Sequence, residues 1–138
     1  MANILVVQDE GQNAVDIKPC LEPGGHQILI AKNVEGAKIL LEAASFDVVI
    51  CGAHLNNGTA FDLLKFIKSD QNRRTILFLI LCCNPTDLAK SVDESMRTTA
   101  MLLGADKYIT QDEFNAELFR TEIESLLSGT HQPIRRKP

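Results

Sequence analysis

The sequence predicts one doubly wound α/β domain built as five β–α units. Three observations carry that expectation. Five short apolar runs recur along the chain, and stretches of helical period separate them. The runs are continuous rather than alternating, which is how strands buried on both faces of a parallel sheet read. The length of 138 residues suits a single domain of the usual ~100–150. Right-handed crossovers between parallel strands then place helices on both faces of a central five-stranded sheet. The domain is expected over residues 2–129, with a C-terminal tail at 130–138.

The strands are expected at residues 4–7, 28–31, 48–51, 76–82 and 108–109. A first helix over 11–21 would bury Ala14, Ile17 and Leu21, with a kink at Pro19 and an end at Pro23, Gly24 and Gly25. Asn33 can cap a second helix that carries Ala37, Leu40, Leu41 and Ala44. Thr59 with Asp62 opens a third, which buries Leu63, Leu64 and Ile67. Asn84 followed by Pro85 is a good start for the fourth. Its apolar stripe runs through Leu88, Val92, Met96, Thr99 and Leu103. Ser91 with Glu94 is a second capping spacing, so a loop and a shorter helix are the alternative there. Thr110 with Glu113 is a capping spacing for the fifth helix, which would bury Ala116, Phe119, Ile123 and Leu126 and close at Gly129.

Composition narrows the function. Hydrophobic residues make up 45% and charged residues 23%, so disorder is excluded as the general state. Fourteen basic against 18 acidic residues leave a net charge of −4. A nucleic-acid partner is not expected from such a balance, and the basic cluster Arg135, Arg136 and Lys137 reads as a solvated tail. No apolar run approaches the ~20 residues of a membrane span, and no export signal precedes the first strand, so a cytoplasmic protein is expected. Cys20, Cys51, Cys82 and Cys83 fit neither a disulfide framework nor a zinc site.

In a doubly wound fold the working crevice lies at the carboxyl ends of the strands. Those ends hold Gln8, Asp9 and Glu10; Gly52, Ala53 and His54; Cys82, Cys83 and Asn84; and Thr110 and Gln111. No glycine-rich phosphate loop follows the first strand. Asp9 and Glu10 read first as complements to a helix dipole and second as ligands for a hard cation. His54 is a lone loop histidine.

The chain resembles the receiver domains of bacterial two-component response regulators over residues 2 to about 128. The residues that carry the resemblance are 4–7 followed by acids, 46–50 (FDVVI) and 104–110 (GADKYIT). It implies the CheY-like, flavodoxin-like three-layer sandwich. It also implies a site at which a receiver phosphorylates itself: an acid pair for magnesium, an aspartate nucleophile, a Thr or Ser, and a lysine. Those positions fall on Gln8 and Asp9, Gly52, Cys82 and Gln111, so only Asp9 is retained. Aspartyl-phosphate chemistry needs a carboxylate nucleophile and cationic neutralisation of the transferring charge. Gly52, Cys82 and Gln111 supply neither.

The expected function is therefore that of a pseudo-receiver: a phosphorylation-independent protein-interaction module in bacterial signal transduction, with no enzyme activity, no cofactor and weak magnesium binding at most. Two alternatives stand beside it, a thiol sensor at Cys82 and a small-ligand binder in the vacated pocket. Tyr108 matches the family's switch aromatic. The family's docking surface of fourth helix, fifth strand and fifth helix implies a protein partner or self-association there, through Met101, Leu102, Tyr108, Phe114 and Leu118.

Overall fold

A computed structural model describes residues 2–8, 17–53, 59–83 and 87–128. The strands are β1 (Asn3–Val7), β2 (Gln27–Ala31), β3 (Val48–Gly52), β4 (Leu77–Cys83) and β5 (Lys107–Gln111). The helices are α1 (Ile17–Leu21), α2 (Val34–Ala43), α3 (Ala60–Lys68), α4 (Asp87–Leu102) and α5 (Ala116–Ser128). All strand pairs are parallel, in the order β2-β1-β3-β4-β5. The predicted doubly wound (βα)5 sandwich is the observed fold.

Alternate residues of each strand feed two cores. Leu5, Val7, Val49, Cys51, Phe78, Ile80 and Cys82 meet α2 and α3 on one face. Ile4, Val6, Val48, Ile50, Leu79 and Leu81 meet α1 and α5 on the other. Cys82 and Cys83 therefore point to opposite faces, as adjacent strand residues must.

Local signals explain where several helices begin. Asn33 accepts the Gly36 N–H at 2.7 Å, and Thr59 accepts the Asp62 N–H at 3.1 Å. Each satisfies one of the N–H groups that a helix start leaves orphaned. After α4 the chain turns at Gly104, whose φ of 106° disfavours a side chain. Asp106 then anchors β5: its carboxylate accepts the Phe78 N–H at 2.8 Å and faces Lys68 Nζ at 3.4 Å.

One alternative falls away and three expectations need correction. Ser91 lies inside α4, its hydroxyl bonded to the Leu88 carbonyl at 2.6 Å, so the fourth element is one long helix. The expected stripe of α4 faces the core only in part: Met96 and Leu103 pack against it, but Leu88 is 76% exposed, and Val92 and Thr99 are exposed too. The helix instead turns Ala89 and Ala100 inward, small residues that permit close approach to the sheet. The fifth helix is capped by Asn115, whose Oδ1 accepts the Leu118 N–H at 3.0 Å; Thr110 belongs to β5. Ala116 is exposed, whereas Phe119, Ile123 and Leu126 are buried as expected. Pro19 lies within the α1 segment, and Ala14, Pro85, Gly129 and the tail lie outside the described residues.

Candidate functional site

The strand register gathers the expected site residues at one end of the sheet. Val7 pairs with Cys51, Gly52 with Leu81, Cys82 with Thr110 and Cys83 with Gln111. Gln8 follows β1 and its N–H reaches the Ala31 carbonyl at 3.1 Å. Gly52 ends β3, a central strand, and brings no side chain to the crevice. Gln111 is committed elsewhere, since its Oε1 accepts the Asn115 N–H at 2.9 Å and so steadies the start of α5. Asp9, Glu10, His54 and Asn84 lie outside the described residues.

Cys82 is buried among Ala53, Tyr108 and the α2–α3 core. Burial pushes its thiol pKa up, and the carboxylate of Asp93 pushes it further the same way. Burial likewise pushes Cys83 up, to about 11. A reactive cysteine needs the opposite, an accessible and electropositive setting.

The residues that do converge here are ones the sequence reading passed over. Ala89, Asp93, Arg97 and Ala100 follow one another at intervals of four, four and three, which is one face of α4. The Thr110 hydroxyl donates to Asp93 Oδ1 at 2.9 Å, and the Tyr108 hydroxyl reaches the same oxygen at 3.4 Å. Arg97 donates from Nη1 to the Tyr108 carbonyl at 2.8 Å and from Nη2 to the Thr110 hydroxyl at 3.1 Å. Its guanidinium sits 4.9 Å from the centre of the Tyr108 ring, a cation–π contact, and pairs with Asp93 at 3.4 Å. Together Asp93 and Arg97 staple α4 to β5. The signal available in the sequence was an acid four residues before a base on a helix.

Tyr108 is consequently an interior residue, 5% exposed, and cannot line an outward patch as expected. Burial and then the Asp93 charge raise its pKa. Phe114 is also half-covered, its ring 5.6 Å from that of Phe119. Met101, Leu102 and Leu118 are exposed, with Leu102 at 83%.

Among the described residues no group of three or more His, Cys, Asp or Glu could hold a metal ion. Gln8, Gly52, Cys82 and Gln111 offer no carboxylate oxygen, the donor that magnesium favours. Those four residues alone supply no carboxylate to a cation of the kind phosphoryl transfer requires; Asp9 and Glu10 lie outside the described residues.

No family model matches the chain, and no curated protein does. Solved structures do. The chain is similar to the chemotaxis response regulator CheY4 of Vibrio cholerae (21% identity, 91% of this chain and 98% of that one, TM-score 0.73). It is similar to the receiver domain of a signal transduction histidine kinase from Syntrophus aciditrophicus (23% identity, 96% and 94%, TM-score 0.76). A putative response regulator from Chloroflexus aurantiacus matches at 19% identity over 92% of this chain and 98% of that one, with a TM-score of 0.77. These likenesses establish the fold.

Proposed function

We propose that the chain is a pseudo-receiver: a signalling domain that binds a protein partner without being phosphorylated. The observation that carries this reading is the α4–β5 staple. In a domain switched by phosphate, the α4–β5 face must be free to rearrange when the phosphoryl group arrives. Here a carboxylate bonded to Thr110 and Arg97 ties that face together, which supports a domain that does not rearrange there. Burial and then the same carboxylate favour Cys82 as a thiol, which weighs against the thiol sensor.

With Tyr108 and Phe114 turned inward, the docking surface is proposed on what α4 and α5 leave outside. Leu88, Val92, Met101 and Leu102 are exposed on α4, and Leu118 on α5. The domain is proposed to work in the cytoplasm; no described helix is long and apolar enough to cross a membrane.

The experiment is capture of partners from the native host by the wild-type domain and by Leu102→Glu and Leu118→Glu. A partner bound by the wild type, without phosphodonor, and lost from either folded variant supports the reading. A partner retained by both variants moves the docking surface off α4 and α5. Binding only after phosphodonor treatment overturns phosphorylation independence.

A further inference from the structure

The far edge of the sheet is built differently. β2 lies at one end of the strand order and pairs only with β1 among the described residues. Its sequence, Gln27-Ile28-Leu29-Ile30-Ala31, carries no charge, no proline and no glycine. Natural edge strands usually carry such residues, because a bare apolar edge invites another strand to pair with it. The opposite edge follows the rule: β5 opens with Lys107, held by Glu122 at 3.1 Å. On β2, by contrast, Leu29 and Ile30 are each 48% exposed, one on either face of the sheet.

The backbone fixes which register a second strand could take. The Gln27 N–H bonds to the Ala2 carbonyl and the Ala31 carbonyl accepts the Gln8 N–H, so the odd-numbered residues of β2 face β1. Ile28 and Ile30 therefore direct their N–H and C=O groups outward. We propose that β2 pairs antiparallel with β2 of a second copy, about a two-fold axis through Leu29. In that register Ile28 stands opposite Ile30 of the other copy, and each exchanges both main-chain bonds with the other. Leu29 meets itself in a non-hydrogen-bonded pair, the closer-spaced kind. The strand is thus complementary to its own copy at every position.

Charge agrees with that occupant. Lys32, just beyond the C-terminal end of β2, comes opposite His26 of the other copy. The ring of His26 lies 2.8 Å from Glu124 Oε2, a half-exposed carboxylate. Each end of the interface then sets a lysine beside a carboxylate, and the two-fold repeats the match. The dimer leaves the α4 surface open, beside the opposite edge of the sheet, and joins two sheets into one.

The test is sedimentation of the wild type, Leu29→Lys and Leu102→Glu, with cross-linking of Leu29→Cys and Ile30→Cys in a Cys20→Ser background. Leu29→Lys sets like charges against each other on the axis. A dimer that Leu29→Lys converts to folded monomer, and that Leu102→Glu leaves intact, is expected. Leu29→Cys should close a disulfide with its own copy under mild oxidation, since the Cα spacing of a non-hydrogen-bonded pair suits one. Ile30→Cys, which faces Ile28, should not. A monomeric wild type at millimolar concentration overturns the proposal. So does a dimer abolished by Leu102→Glu rather than Leu29→Lys, or equal cross-linking of the two cysteine variants.

Discussion

Replacing Asp93 by alanine should cost the domain about 2 kcal/mol. The largest loss is the Thr110 hydroxyl bond at 2.9 Å, made to a carboxylate that is only 19% exposed. Hydrogen bonds to charged groups are worth ~1.5–3 kcal/mol, more than neutral ones. The ion pair with Arg97 adds ~0.3–0.5 kcal/mol, being an i,i+4 pair at a half-open site. The Tyr108 hydroxyl, at 3.4 Å, adds little. At ~2.1 cal/mol/K of unfolding entropy per residue, a chain of 138 residues should lose about 7 °C in Tm. Thermal and urea denaturation of Asp93→Ala, Thr110→Val and the double variant form a cycle that isolates the bond. A coupling of about 1–2 kcal/mol is expected for neighbours sharing one network. Additivity within ~0.3 kcal/mol would refute the staple, because two residues that do not touch behave that way.

Two further outcomes follow from the same geometry. Ala100→Leu should destabilise by about 1–3 kcal/mol through overpacking, while Leu88→Glu should stay within about 0.5 kcal/mol of wild type; urea midpoints decide, and the reverse order would rotate α4 back to its apolar stripe. Tyr108 and Cys82 have folded-state pKa values raised above their ordinary 10.0 and 9.0. A raised value means the neutral form is favoured on folding, so this stability is complete below about pH 9 and lost as pH climbs past it. Tyr108→Phe should flatten the alkaline decline measured by urea midpoint against pH, and an unchanged slope would contradict the buried placement of the ring.

Four strands were legible as apolar runs, of which β1, β3 and β4 are almost wholly buried; of β5 only the Tyr108-Ile109 centre was legible, because Lys107, Thr110 and Gln111 are polar. The starts of α2 and α3 were legible for a chemical reason: Asn33 and Thr59 each have a side-chain oxygen placed to accept from a first-turn N–H. Periodicity misled at α4. It selected Leu88, Val92 and Met96 as the inner face by their hydrophobicity, and of these only Met96 packs against the core. The helix is rotated by about one residue, because Ala89 and Ala100 allow the backbone close to the sheet and Asp93 with Arg97 find complete partners on β5. The cap of α5 was misplaced for a related reason. Thr110 has the right spacing to Glu113, but its hydroxyl is taken by Asp93, and Asn115 caps the helix instead. At the strand ends the sequence showed which groups are missing, since a glycine or an amide is recognisable wherever it falls. It did not show Asp93 beside Cys82, a proximity made only when α4 returns across β5.

The most direct measurement is the intact mass of the protein after incubation with magnesium and acetyl phosphate, with a phosphorylatable receiver as positive control. Gly52 offers no nucleophile at the end of β3, and Gln111 offers no cation to neutralise the transferring charge. No phosphoryl adduct is expected under conditions that convert the control, and denaturation midpoints should be unchanged by the phosphodonor. A stoichiometric, base-labile adduct would contradict the reading, because it would require a carboxylate at this end of the sheet to do what Gly52 cannot.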